Sequence, residues 1–283
     1  MSRPEEVRDR LANVGEIGSV IATLQALAAA HQREAEGHLA AIRAQEATVA
    51  AALSEALALA GAAPEEGRGD AALTVVIGAA QGFSGLYGER LAEAGLAAAG
   101  RGHAVMAIGG RTLGALRDRG VRPVWSAEMA PHVPEVAALA SRLADALFGW
   151  LPGRPQGTVH VVFCDPQETA RPQIRRLFPF DFTRFPIDPR RLPLITLPPG
   201  DLLAALMEAY VFTELCEMLM LGFAAENAAR AEAMARAQSS VKRISAELKR
   251  AWQQARQEQM TTEILELVSA SSAGAPKGSV PGG

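Results

Sequence analysis

The sequence predicts a long antiparallel two-helix coiled coil, built from the two ends of the chain, with a Rossmann-like α/β domain inserted between them. Three observations predict it. Apolar residues recur at three- and four-residue steps through the first sixty residues. From Asp201 to about Ser269 there is no proline and only one glycine, Gly222. Between these stretches, short β-branched runs alternate with helical patterns.

The first helix, 1–62, opens on Ser2-Arg3-Pro4-Glu5. Ser2 can cap, Glu5 follows three residues later, and Pro4 is tolerated in a first turn. Its stripe reads Val7, Leu11, Val14, Ile17, Ile21, Leu24, Ala28, His31, Ala35, His38, Ile42, Gln45, Val49, Leu53, Leu57. Gly61-Ala62-Ala63-Pro64 is a stop signal. A helix of this length spans about 85 Å and needs a partner along it. Gly15 and Gly18 are its weak point, each costing up to about 1 kcal/mol in a helix interior.

The middle, 71–198, holds strands at Leu73–Gly78, Ala104–Ile108, Val121–Trp125 and Thr158–Phe163. Helices are expected at 86–99, Arg111–Arg119 and Pro131–Leu147. Strands alternating with helices make a parallel sheet. Prolines crowd the stretch from Pro166 to Pro199, so irregular edge strands are expected at Ile174–Phe178 and Leu194–Leu197.

The second long helix, 201–269, starts at Pro199-Gly200-Asp201 with Asp201 as its cap. Its seam runs through Leu202, Leu206, Tyr210, Thr213, Leu219 and Phe223, then the small Ala224, Ala228, Ala231 and Ala235, then Val241, Ile244, Leu248, Trp252 and Ala255. At about 100 Å it can pair with the first helix, and alanine lets the backbones approach. The tail 270–283 is rich in Gly, Ser and Pro and is expected to be disordered. The chain has no internal repeat.

Composition narrows the function. The 283 residues are 49% hydrophobic, with a formal net charge of −3, which argues against a chain whose whole surface grips nucleic acid. Cys164 and Cys216 lie far apart in apolar runs with no metal-ligand spacing, so no cofactor or metal is expected. The N-terminus carries no apolar signal region, and no uninterrupted apolar stretch of about 18 residues exists. The expectation is no direct membrane insertion.

Several motifs carry a resemblance. Ala225-Glu226-Asn227-Ala228-Ala229-Arg230-Ala231-Glu232-Ala233-Met234 resembles the S-E-x-x-A-R-M-x-A-M stretch of F-type ATP synthase gamma subunits. Ala255-Arg256-Gln257-Glu258-Gln259-Met260-Thr261-Thr262-Glu263-Ile264-Leu265-Glu266-Leu267-Val268 resembles that family's A-R-Q-x-x-I-T-x-E-(L/I)-x-E-I-(V/I) ending. Val7-Arg8 with Leu11, Asn13 and Val14 is similar to its opening, and Gly82-Phe83-Ser84-Gly85-Leu86 to its G-L-C-G-G-L loop.

The resemblance implies a non-catalytic central-stalk subunit that couples ion translocation to ATP synthesis or hydrolysis. Its partners would be alpha- and beta-type ATPase subunits, an epsilon-type subunit and a membrane rotor ring, at the cytoplasmic face of the inner membrane. Arg256 and Gln257 align with the pair that contacts a catalytic-subunit loop, with Thr261 and Glu263 beside them. Lys242, Arg243, Lys249 and Arg250 form a basic face suited to an acidic collar. The sequence departs from the family in three places. Thr23–His31 has no lysine, Ser84 and Leu86 stand where the loop usually has cysteine and a second glycine, and the residues near Thr196 are apolar rather than acidic. These imply a diverged member, of the main complex or of a second, ion-pumping one.

Two other readings remain open. An α/β hydrolase-like enzyme with helical arms would use Ser84 with His103, His132 or His160, although G-x-S-G is not the G-x-S-x-G elbow. A coiled-coil scaffold would form homodimers through the long helices. His31 and His38, seven apart, are too far apart on one helix for one metal.

Overall fold

The computed structural model describes residues 4–60, 72–100, 103–151, 157–185 and 193–273. In chain order they form α1 (Pro4–Ala60), β1 (Ala72–Ile77), α2 (Tyr87–Ala99), β2 (Ala104–Ile108), α3 (Gly110–Asp118), β3 (Trp125–Ala127), α4 (Val136–Trp150), β4 (Thr158–Phe163), β5 (Gln173–Phe178) and α5 (Pro199–Ala273). The chain divides into two compact units, Gln25–Ala233 and Met1–Leu24 with Met234–Gly283.

In the larger unit the strands form one sheet ordered β3-β2-β1-β4-β5. β1 pairs in parallel with both β2 and β4, and β2 with β3. Strand β5 returns antiparallel to β4. The sheet is therefore mixed rather than wholly parallel. The period-2 alternation of each strand fills two layers. Leu73, Val75, Ile77, Val159, Val161 and Phe163 share a core with α4 and with the long helices. Thr74, Val76, Val105, Ala107 and Val162 face the other way, the four apolar ones against Leu91, Ala92 and Leu116 of α2 and α3.

Helix α5 is buried on nearly every side from Tyr210 to Ala229. That is why this stretch reads as an almost continuous apolar run and not as a stripe. Its glycine has a packing reason. A Cβ on Gly222 would come 2.6 Å from Ile77 Cγ2, so only glycine lets the helix cross the end of β1. Gly222→Ala is expected to cost about 1–3 kcal/mol of stability through overpacking, which denaturant unfolding would measure. In this unit α1 and α5 run antiparallel: Arg43 meets Glu217, and Glu46 meets Tyr210.

In the smaller unit Gly18 is buried against Val241, and a Cβ there would lie 3.0 Å from Val241 Cγ1. The glycine cost in the first helix thus permits close approach of the two backbones. Ile17, placed on the seam by its spacing, is 53% exposed, while Gly18 is covered. Leu39 is buried where His38 was expected, and Gln45 and Ile244 are exposed. The cause is the drift of a 3.6-residue helix against a seven-residue repeat, about 20° per heptad.

Other boundaries shift for local reasons. β3 begins at Trp125 rather than Val121 because Pro123 has no N–H for the ladder. α4 begins at Val136, after a 3₁₀ turn at Val133–Glu135. α5 begins at Pro199, so Asp201 sits in its first turn rather than capping it. Leu194–Leu197 is not a strand: prolines at 193, 198 and 199 bracket it, and Leu194 and Leu197 are exposed. The second long helix continues to Ala273, past Ser269. The N-terminal cap at Ser2, the stop at Gly61–Pro64 and the tail 274–283 lie outside the described residues. By length and composition α1 could cross a membrane; in the structure it pairs with α5.

Candidate functional site

The strand order reverses at β1, and the crevice beyond the carboxyl ends of such strands is where α/β sheets take their ligands. Here the chain's own carboxylate occupies it. Glu226 of α5, 3% exposed, accepts from the backbone N–H of Ala80 (3.0 Å) and of Gln81 (3.1 Å). Arg230 pairs with the same carboxylate, and also donates to Asn227 Oδ1 at 2.9 Å. Nearby, Thr112 Oγ1 accepts from Ala79 N at 2.9 Å, and Tyr87 O–H donates to the Gly222 carbonyl at 3.3 Å. Two amides that could cradle an anion therefore hold the long helix instead.

The loop that follows is not a nucleophile elbow. The residues with positive φ are Phe83 (66°) and Gly85 (62°), not Ser84, and Phe83 is 68% exposed. Ser84 is buried, and among the described residues no hydrogen bond joins its hydroxyl to a histidine. His160 pairs with Thr74 near the opposite end of β1, and His132 packs edge-on against His31 with ring centroids 6.2 Å apart. The candidate triad is not assembled. No cluster of three or more metal-ligating side chains exists among the described residues. Burial pushes the Cys164 thiol up to about 12 and the Cys216 thiol up to about 11, so neither is a ready nucleophile.

A second constellation, absent from the sequence expectations, joins β5 and the turn at 182–184 to both long helices. Glu214, its side chain 1% exposed, accepts from Arg175 (2.7 Å), Arg184 (3.1 Å) and the Tyr210 hydroxyl (2.8 Å). Glu217 accepts from the same Arg175 (2.7 Å) and from Arg43 of α1 (2.8 Å). The Tyr210 hydroxyl also lies 3.1 Å from Glu46, and Arg184 lies 3.8 Å from Glu46. Three arginines face three glutamates, so the cluster is neutral overall. The readable signal was two carboxylates inside the apolar run 210–225, which require cationic partners.

Burial pushes the Glu217 carboxyl up, but its hydrogen bonds from Arg175 and Arg43 outweigh that and leave it below the ordinary range. Glu46 goes the other way: burial, then the Glu214 charge, raise it. A carboxyl raised on folding favours the fold only while protonated, and that contribution is lost as pH rises through its folded value. Glu46→Gln is therefore expected to raise the melting temperature at neutral pH, with the gain disappearing below about pH 4.5. Melts of both proteins across that range would check it.

The residues expected to meet partners all lie on the C-terminal half of α5 and all are exposed. Arg256, Gln257, Thr261 and Glu263 are water-facing. The Arg256 guanidinium sits 5.4 Å from the Trp252 ring centre, Thr261 donates to the Gln257 carbonyl (2.9 Å), and Glu263 accepts from Gln259 (2.8 Å). Lys242, Arg243, Lys249 and Arg250 are exposed too, and Arg243 reaches Glu247 at 3.3 Å. From Arg256 to Ser269 every residue is exposed, including Met260, Ile264, Leu265, Leu267 and Val268.

A family model described as ATP synthase matches residues 3–273. The chain is similar to an ATP synthase gamma chain of Roseiflexus castenholzii, 28% identical over 147 residues, which are 50% of this chain and 49% of that one. It is 30% identical to an ATP synthase gamma chain of Clavibacter sepedonicus over 110 residues, 37% of each. The matched stretch thus spans half or less of each of these relatives. Among solved structures, a chain of the Euglena gracilis mitochondrial ATP synthase (OSCP/F1/c-ring, rotational state 3) aligns over 98% of this chain and 99% of that one, with TM-score 0.64 and 14% identity. A chain of the Tetrahymena thermophila mitochondrial ATP synthase central stalk and c-ring aligns over 77% and 99%, with TM-score 0.53 and 13% identity.

Proposed function

This chain belongs to the ATP synthase gamma-subunit family, and from that premise we propose that it is the central shaft of a rotary F-type ATPase, without a catalytic site of its own. The observation that carries the reading is the end of α5. Five large apolar side chains stand exposed between Met260 and Val268, on a helix that also presents Arg256 and Gln257. A bare apolar helix end is costly in water and suits a close-fitting sleeve. The basic residues Lys242, Arg243, Lys249 and Arg250 suit acidic loops around that sleeve.

The sleeve is a ring of alpha- and beta-type subunits. The α/β domain carries an epsilon-type subunit and stands on the membrane rotor ring; both the Euglena and the Tetrahymena assemblies include a c-ring. The chain is then peripheral, at the cytoplasmic face of the inner membrane. Shaft angle and nucleotide state bias each other reciprocally, because each must favour the same conformations of the ring. Filling of the β1 crevice by Glu226 supports a coupling part and not a nucleotide site. The lysine-free Thr23–His31 stretch and the apolar residues near Thr196 favour a second, ion-pumping complex. Such a complex should hydrolyse ATP but make none under an imposed gradient.

Co-purification tests the reading. The tagged chain, drawn from gently solubilised membranes of its own cell, should bring down alpha- and beta-type subunits with ATP hydrolysis. A chain recovered alone or as a homodimer would overturn it and favour a coiled-coil scaffold.

A further inference from the structure

The neutral cluster of Arg43, Arg175, Arg184, Glu46, Glu214 and Glu217 is more than a stability feature. β5 is an edge strand, held to the sheet by β4 alone. Its Arg175 side chain, 31% exposed, places one nitrogen 2.7 Å from both Glu214 and Glu217 of α5, with the guanidinium 5.3 Å from the Phe163 ring centre on β4. Glu217 then reaches across to Arg43 of α1. One carboxylate pair therefore links the sheet edge, the last long helix and the first. Apolar packing between helix and sheet is non-directional and tolerates small sliding. Charge-assisted hydrogen bonds from a planar guanidinium fix direction as well as distance.

We propose that Glu214 and Glu217, with Arg175, are positioning residues that fix the rotational register of the α/β domain on the paired long helices, so that torque delivered to the domain is transmitted without slip. The inference rests on the shaft reading. The three side chains are engaged with one another and with Arg43, Arg184 and the Tyr210 hydroxyl. Their substitution should alter the ratio of ion transport to ATP hydrolysis, rather than hydrolysis itself.

The experiment uses the whole complex in inverted membrane vesicles. ATP hydrolysis is assayed beside ATP-driven transport, followed by quenching of a pH-gradient dye or by uptake of radioactive sodium. The double variant Glu214→Gln, Glu217→Gln keeps the shapes and removes the two carboxylate charges. It should hydrolyse ATP at near wild-type rate while ions moved per ATP fall about threefold or more. An unchanged ratio in an assembled complex would overturn the proposal. Should that variant fail to assemble, a triple replacement decides: Arg175→Met, Glu214→Leu, Glu217→Leu restores a packed apolar contact of similar volume. It should assemble yet still lose ions per ATP; a wild-type ratio would show that directional pairing is not needed. Failure of the shaft reading looks different: the unaltered chain would bring down no ATPase partners at all.

Discussion

Glu226→Ala is expected to destabilise the protein by about 3–5 kcal/mol. The carboxylate is the acceptor for the Ala80 and Gln81 amides and the counter-charge of Arg230, whose side chain is only 13% exposed. Alanine leaves two backbone donors and one guanidinium without it in a crevice closed by α5. Each abandoned donor then costs its desolvation, about 1–3 kcal/mol and more for a charge, because water reaches the site poorly. Glu226→Gln should lose less, since one amide oxygen can still accept from a backbone N–H while the Arg230 pairing is weakened. Denaturant unfolding measures the difference, and hydrogen exchange at Ala80 and Gln81 locates it: both amides should exchange faster in the alanine variant. A loss under about 1 kcal/mol with both amides still protected would mean that the loop holds itself and the helix merely rests on it.

That anchor also shows what could and could not be read beforehand. The Ala225–Met234 motif was conspicuous in the sequence, yet its glutamate and arginine had no visible targets, because the acceptor's partners are backbone amides about 145 residues away. Gly222 was legible as the lone glycine between Asp201 and Ser269, and its reason, Ile77 of β1 at 2.6 Å from a would-be Cβ, needed the packing. Long helices at the termini and strands between them follow from periodicity, which local sequence carries directly. The seam did not follow as well. Counting by sevens put Ile17 and His38 inside, whereas a straight helix brings Gly18 and Leu39 there. The clamp at Glu214 and Glu217 was missed for another reason. Lone carboxylates in an apolar run announce buried partners, but nothing local says that Arg175 of an edge strand and Arg43 of the first helix supply them. Where the Leu194–Leu197 strand was expected, apolar content outweighed the prolines at 193, 198 and 199, which remove the ladder donors.

Arg256→Ala with Gln257→Ala is expected to lower ATP hydrolysis by the assembled complex about tenfold or more, while the free chain keeps its stability within about 0.5 kcal/mol. The two halves of the expectation have separate physical grounds. In this chain both side chains are exposed on α5 and close no core, so removing them exposes no cavity and strands no buried donor. In the complex the same groups would lie inside the sleeve. There an arginine fork paired with a carboxylate is desolvated, and truncating one partner of such a pair costs about 2–5 kcal/mol. Trp252 matters to this, because its ring beneath the Arg256 guanidinium limits the conformers the arginine samples before contact. Trp252→Ala should therefore give a smaller loss of hydrolysis in the same direction. Thr261 and Glu263, engaged with Gln257 and Gln259 on their own helix, should matter less than Arg256. The measurement is the hydrolysis rate of purified complexes at matched subunit content. Full activity in the double variant would move the coupling contact off Arg256 and onto the apolar end, Met260 to Val268, where Ile264→Asp and Leu267→Asp should then abolish assembly with the ring.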